Sequence, residues 1–263
     1  MSIKSVILNT PDPQQLADFY RKHLGMRVNE MRAPNGQTAW SVGYEGECAQ
    51  IELRQADTGQ SMTPRDTDLY WKIGITLPDL MLAYEKLRRD GIEVSEPTQF
   101  QDIGFMCHLT DTAGFGIELL QHTFEDEALT QRGDAALPLG GGATLGQITL
   151  RVTDINAALE YYRETLGMTL LSVQPVASRD FTLYFLAFTR ESPPLSALES
   201  VSNRPWLWQR PYTLLELQHL HKRPVIDRAA PGDAGFHGIK IVTTDEPHCQ
   251  VVRSHHTGAK THC

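Results

Sequence analysis

The stretches TPDPQQLADFYRKHLGM (10–26) and VTDINAALEYYRETLGM (152–168) align without a gap and decide the fold of this chain. Each follows a short alternating strand, places Asp at a helix start, and reaches Gly after an amphipathic segment. Aspartate accepts hydrogen bonds from the free backbone N–H groups that begin a helix, and Gly adopts the left-handed conformation that ends one. The pattern therefore predicts a strand–helix unit that occurs at least twice.

Two further copies of this unit are visible. KIGITLPDLMLAYEKLRRDGIEV (72–94) again reads as strand, Asp, helix and Gly, and FHGIKIVTTDEP (236–247) starts a fourth copy. In the second copy the residues DTAG (111–114) have the composition of a hairpin turn. Repetition of this length is typical of a duplicated fold, with four units in this chain.

The strands after each helix define the fold class. They end in IEL (51–53), IEL (117–119) and LEL (215–217), which predicts an α+β fold built from βαβββ modules. Segment 124–144 is polar and then rich in Gly and Pro, so it predicts a linker between a domain at 1–123 and a second at 145–263. A long loop within one domain is the alternative. The fourth module lacks its later strands, so the second domain is predicted to be incomplete at the C-terminus.

Composition excludes several classes of function. A net charge of −8 argues against a nucleic-acid surface, and no apolar run is long enough to span a membrane. The start MSIKSVILNTPD lacks a basic region followed by an apolar core, which predicts a cytoplasmic protein without a secretory signal. The four cysteines are scattered without CxxC pairs, so reduced thiols are expected.

The paired units, the Asp–helix–LG pattern and the xEL strands resemble the vicinal oxygen chelate superfamily, which includes glyoxalase I, bleomycin resistance proteins and extradiol dioxygenases. The second half resembles glyoxalase I (lactoylglutathione lyase) in particular, over QITLRVTDINAALEYYRETLGMTLL, FTLYFLAF, TLLELQH and GFHGIKIV. The resemblance implies paired modules that form cup-shaped mixed sheets. It also implies lyase activity on the hemithioacetal of methylglyoxal and glutathione.

The resemblance also implies a metal site. Gln147 and Glu216 match a ligand glutamine and glutamate of the glyoxalase pattern, His237 is the candidate histidine, and Arg151 matches an arginine that holds a carboxylate of the substrate. Oxygen and imidazole ligands suit Zn²⁺, and Ni²⁺ or Co²⁺ are alternatives. Glu216 is in addition the candidate catalytic carboxylate. Strand alternation opposes His237, because it would share a face with the apolar Ile239, unless a β-bulge turns it to the other face.

The first half departs from this pattern. The positions equivalent to the metal ligands hold Ser5, Glu52, Lys72 and Glu118. A protonated lysine is not a ligand, and serine is a poor one. The inference from the residues is that the Lys72 ammonium lies between Glu52 and Glu118 and replaces the positive charge of a metal.

Three functions remain open from the sequence. A glyoxalase-like metal-dependent lyase is the first, and a metal-free protein of the same fold that binds a small organic molecule is the second. An extradiol dioxygenase is the third, although Gln147 stands where that chemistry needs a histidine. The last ligand glutamate of the family has no equivalent here, so a homodimer that completes the site also stays open.

Overall fold

The computed structural model describes residues 1–222, 226–242 and 249–252. Its strands are β1 (Ser2–Thr10), β2 (Arg27–Arg32), β3 (Thr38–Gly43), β4 (Gln50–Gln55), β5 (Tyr70–Leu77), β6 (Thr98–Phe100), β7 (Gly104–Thr110), β8 (Gly116–Gln121), β9 (Thr144–Val152), β10 (Thr169–Val176), β11 (Phe181–Ala187), β12 (Leu214–Leu220), β13 (Gly235–Val242) and β14 (Cys249–Val252). Its helices are α1 (Pro13–Leu24), α2 (Leu80–Arg89), α3 (Ile155–Leu159) and α4 (Arg204–Trp208). α3 continues as a π-helical turn over Glu160–Thr165.

The repeated units have the predicted helix starts. Asp12, Asp79 and Asp154 cap α1, α2 and α3, and each side chain accepts a hydrogen bond from the backbone N–H three residues later. Gly25 ends α1 with φ of 70°, in the left-handed region. The hairpin between β7 and β8 turns at Asp111, whose carboxylate accepts from the N–H groups of Ala113 and Phe115.

The strands form two mixed, curled sheets, so the predicted α+β class with paired modules is confirmed. The first sheet has the order β14-β13-β1-β4-β3-β2, and the second has the order β10-β11-β12-β9-β5-β8-β7-β6. In the second sheet, β12 is parallel to β9, β9 is antiparallel to β5, and β5 is parallel to β8. These four central strands carry the candidate site.

The sheets do not pair the first unit with the second or the third with the fourth. The first unit (β1–β4) joins the fourth (β13 and β14), and the second (β5–β8) joins the third (β9–β12). The sequence pattern does not distinguish these pairings, because either arrangement uses the same edge strand with the same alternation of faces. The division of the chain into domains therefore stays a prediction, with one domain at 1–123, a linker at 124–144 and a second domain at 145–263.

The hydrophobic core lies on one face of each sheet. Alternate residues of the central strands, such as Ile73, Ile148 and Leu217, are buried in a cluster with residues of the helices. The intervening residues point to the opposite face, where a second apolar cluster surrounds Phe185 and Trp208. The predicted alternation of β9 is thus confirmed, with Ile148 in the main core.

The structure describes part of the end of the chain. Residues Cys249–Val252 form β14, which pairs with β13. Residues 243–248 and 253–263 lie outside the described residues. Within the described residues, no helix is long and apolar enough to cross a membrane. Cys48 and Cys107 are buried free thiols.

Candidate functional site

The register of the four central strands brings four polar side chains together. Lys72 on β5 lies opposite Thr149 on β9, and Gly74 lies opposite both Gln147 and Glu118. Glu216 on β12 lies beside Thr149. Because the side chains of a strand alternate between faces, Lys72, Glu118, Gln147 and Glu216 emerge on the same side of the sheet. We call these four residues the central cluster.

An ammonium group holds the central cluster together. Lys72 Nζ lies 2.6 Å from Glu118 Oε1 and 3.7 Å from Glu216 Oε2. Gln147 Nε2 donates to Glu118 Oε1 at 2.7 Å. All four side chains are buried, and Glu216 is only 1% exposed. Burial of charged groups is favourable only when they are paired and hydrogen-bonded, so Lys72 is the group that permits two carboxylates here.

Gly74 creates the space for the glutamine amide. A Cβ at position 74 would lie 2.3 Å from Gln147 Cγ and 2.7 Å from its Nε2. The Gln147 side chain therefore crosses directly above the Gly74 backbone to reach Glu118. Any side chain at this position would displace the amide from the carboxylate.

The two carboxylates of the cluster are not equivalent. Burial would raise the pKa of Glu118, but the Lys72 ammonium and the His108 imidazole lower it to about 2. His108 Nε2 lies 2.8 Å from Glu118 Oε2. Glu216 instead accepts from the Thr149 hydroxyl at 2.5 Å and has the more distant contact to Lys72. Burial consequently raises the pKa of Glu216, and the nearby charge of Glu118 adds to the rise.

Lysine 72 is a cation at neutral pH. Burial by itself would lower its pKa, but the negative charges of Glu118 and Glu216 outweigh burial and raise it. The ammonium also lies 4.6 Å from the centre of the Trp71 ring, an additional favourable contact for a cation. A protonated lysine has no lone pair with which to bind a metal ion or attack a carbonyl group.

An apolar cavity of about 280 Å³ opens above the central cluster. Its floor is the central cluster itself, together with His108. Its walls are aromatic and aliphatic and come mainly from β7, β8, β11 and α4; they include Phe100, Met106, Leu183, Phe185 and Trp208. Concave apolar sites with a few convergent polar groups are typical binding sites for small molecules.

The structure brings together two of the predicted site residues and separates a third. Gln147 and Glu216 share the central cluster. His237 lies on β13 in the other sheet, where its Nε2 contacts the backbone oxygen of Asp233 at 2.8 Å. The pairing of β13 with β1 explains this position, because it places His237 in the first sheet and Gln147 is in the second.

Arg151 lies on the same strand as Gln147 but outside the central cluster. Its Nε donates to Gln218 Oε1 at 3.1 Å, and its Nη1 donates to the backbone oxygens of Arg65 and Asp68. The guanidinium also lies 5.4 Å from the centre of the Trp71 ring. These contacts fix the arginine beside a separate cavity of about 240 Å³, so its predicted role in substrate binding stays a prediction.

The expectation that Lys72 lies between Glu52 and Glu118 is wrong for Glu52. Glu52 belongs to the first sheet, where Lys240 Nζ donates to it at 2.9 Å and Arg54 contacts its other oxygen. Lys72 uses Glu216 of the third unit in its place. The physical reason is the pairing of the second unit with the third, which sequence alternation does not specify.

Comparison with known proteins assigns the fold to a family. The family model described as Glyoxalase/Bleomycin resistance protein/Dioxygenase superfamily matches residues 2–119 and 144–205, more than half of the chain. The chain belongs to this superfamily. The two matched segments cover the first two units up to residue 119 and the third unit up to residue 205, before β12, and they contain every residue of the central cluster except Glu216.

Solved structures share the superfamily fold at low identity. Glyoxalase I from Zea mays is 18% identical with a TM-score of 0.64, over 90% of this chain and 73% of that chain. A presumed dioxygenase from Bacillus subtilis is 17% identical with a TM-score of 0.59, over 91% of this chain and 69% of that chain. At these identities the likeness shows the arrangement of the sheets and does not transfer an activity.

The donor set of the central cluster does not fit the divalent metal that the glyoxalase resemblance implies. Two carboxylates and an amide converge, but the fourth position is the cation Lys72, which contacts both carboxylates. A divalent ion at this place would lie against an ammonium of the same sign. The Gln147 Oε1, which has no hydrogen-bond partner among the described residues, could accept from a ligand or a cation, so the misfit with a metal rests on Lys72 alone.

Several residues of the site had no clear signal in the sequence. His108 lies next to Glu118 because β7 pairs with β8, Trp71 precedes Lys72 in the chain, and Trp208 reaches the cavity from a short helix between β11 and β12. The alternation of FMCHLT (105–110) could have placed His108 on the cavity side of β7. The position of Trp208 depends on the path of the long connection between β11 and β12, which strand alternation does not predict.

Proposed function

We propose that this chain is a metal-independent member of the superfamily that binds a small, largely apolar organic molecule in the cavity of the second sheet. The observation that carries the proposal is the Lys72 ammonium, which lies between Glu118 and Glu216 at the floor of an apolar cavity. The cluster supplies its own positive charge, and the aromatic walls supply the apolar surface that drives binding.

The size of the cavity limits the ligand. A volume of about 280 Å³ lies near the lower end of the range for small-molecule sites, about 300–1,000 Å³. One or two fused rings with a short polar substituent match this space and the aromatic walls. The polar substituent is expected to face the central cluster, because the rest of the lining offers mostly apolar groups.

A titration with naphthylmethanol, followed by tryptophan fluorescence, tests this function. Chelator-treated protein should bind the probe as tightly as protein supplied with Zn²⁺. Met106→Trp should weaken binding about tenfold or more, because Met106 is a buried residue of the cavity wall and the larger side chain fills the space. Met81→Trp is the matched control, because Met81 is 46% exposed on α2. Equal affinities for all variants would contradict binding in this cavity.

A glyoxalase-like lyase is the second candidate function. Two carboxylates and the Gln147 amide converge in the order of the family pattern, and only Lys72 departs from it. Turnover of the hemithioacetal of methylglyoxal and glutathione, abolished by a chelator and restored by Zn²⁺, Ni²⁺ or Co²⁺, would favour this candidate over the first. In this candidate function, Arg151 holds a carboxylate of the substrate and Glu216 is the catalytic carboxylate.

A further inference from the structure

The central cluster contains two buried carboxylates and one dedicated cation. Lys72 Nζ is 2.6 Å from Glu118 and 3.7 Å from Glu216, so the ammonium belongs mainly to Glu118. The His108 imidazole also contacts Glu118 and makes no hydrogen bond or ion pair with Glu216. Within the described residues, Lys72 is the only ion-pair partner of Glu216. Glu216 therefore shares its cation with Glu118 and has the longer of the two contacts.

The surroundings of Glu216 favour a cation from outside the chain. Glu216 lines the floor of the apolar cavity, and the rings of Trp71, Phe181, Phe185 and Trp208 form part of its walls. The faces of aromatic rings attract ammonium groups, most strongly where water is excluded. A carboxylate at the end of an aromatic-lined cavity is a suitable site for a protonated amine.

We propose that the ligand of this cavity carries one protonated amino group, which donates to Glu216 Oε1, the oxygen opposite the one that Lys72 and Thr149 contact, while the apolar body of the ligand lies against the aromatic walls. This inference rests on the proposed function and specifies the chemical class of its ligand. A carboxylate ligand is disfavoured at the floor of the cavity, because it would meet Glu216 and Glu118, which already share the Lys72 ammonium. Arg179 is the competing cation, exposed on the cavity lining.

Three probes of nearly equal shape test the charge preference. Naphthylmethylamine is a cation, naphthylmethanol is neutral, and naphthoate is an anion. The expected result is that the amine binds about tenfold or more tightly than the alcohol, since a hydrogen bond to a charged group is stronger than one between neutral groups. Naphthoate is expected to bind most weakly. Equal or tighter binding of the alcohol or of naphthoate would overturn the proposal.

Two variants locate the preference within the cavity. Glu216→Gln keeps the shape of the side chain and removes its charge, so the amine should lose its advantage over the alcohol. Glu118→Gln leaves the Lys72 ammonium to Glu216 alone, so the advantage should also shrink. Glu52→Gln is the matched control, because Glu52 is the equivalent buried glutamate of the first sheet and should leave the ratio unchanged.

The outcomes separate the two proposals. An amine preference that persists in Glu216→Gln overturns the assignment of the amine to Glu216, while binding of the alcohol still supports the cavity as a ligand site. Failure of all three probes to bind contradicts the proposed function itself. Circular dichroism of each variant establishes that it is folded before its affinity is compared with the wild type.

Discussion

Replacement of Lys72 by methionine is the perturbation that best tests the electrostatic account of the central cluster. Lys72→Met keeps most of the volume of the side chain and removes the ammonium that contacts Glu118 at 2.6 Å. Glu118 is 3% exposed and would remain buried beside Glu216 without its cation. Removal of one partner of a buried ion pair costs about 3–5 kcal/mol, because the other charge is left uncompensated.

The pKa of Glu118 gives a second measure of the same effect. It is lowered from 4.5 to about 2, which corresponds to about 3 kcal/mol of stability. A carboxylate whose pKa is lower in the folded state stabilises the protein above its unfolded pKa, and this contribution is lost as the pH falls toward 2. In Lys72→Met the contribution is absent at neutral pH. The two proteins should therefore differ most at pH 7 and less at acidic pH, where protonation relieves the unpaired carboxylate.

Urea unfolding at pH 7 and at pH 4 measures this difference. Lys72→Met should lose about 3–5 kcal/mol at pH 7 and clearly less at pH 4. Addition of Glu118→Gln to Lys72→Met should restore a large part of the loss, because the buried charge is then removed as well. Lys22→Met, on the exposed face of α1, is the control and should change stability by less than about 0.5 kcal/mol. A loss below about 1 kcal/mol, or one that is equal at both pH values, would show that Lys72 does not compensate the charge of Glu118.

Two further predictions concern the backbone and a second buried carboxylate. Gly74→Ala should lower the free energy of unfolding by about 1–3 kcal/mol in urea, because the added Cβ meets Gln147 at 2.3 Å. Gly59→Ala, which meets no atom within 4 Å, should be nearly neutral, and similar losses for both would argue against the steric explanation. Burial raises the pKa of Asp111 to about 6, against the hydrogen bonds that it accepts, from Tyr20 among others. Since a raised folded pKa gives stability that is lost as the pH rises through it, wild-type unfolding energy should fall between about pH 4 and pH 7 relative to Asp111→Asn, and parallel curves would contradict this.

The sequence predicts the local structure of the units well. The Asp at each helix start accepts a hydrogen bond from a backbone N–H only three residues later. Gly25 ends α1 through its own left-handed backbone conformation. The alternation of β9 likewise specifies that Gln147 leaves the core face of the sheet. Local signals of this kind depend on residues a few positions apart and can be recognised in a single sequence.

The composition of the candidate site depends on contacts between distant segments. Alternation places Lys72, Glu52, Glu118 and Glu216 on the cavity face of their strands, but it does not state which units share a sheet. Pairing of the second unit with the third joins Lys72 to Glu216 and leaves Glu52 with Lys240. His237 is separated from Gln147 by the same pairing.

Metal binding by the central cluster is the most direct test of the claim that Lys72 takes the place of a metal ion. Three chelator-treated proteins are titrated with Zn²⁺ by calorimetry: the wild type, Lys72→His, and the double variant that combines Lys72→His with Gln147→Ala. We expect no Zn²⁺ site in the wild type that depends on Gln147. Lys72→His should gain one site per chain, which Gln147→Ala then removes, because imidazole, two carboxylates and an amide oxygen are a suitable ligand set. One Zn²⁺ per wild-type chain, lost in a Gln147→Ala variant of the wild type, would contradict this claim.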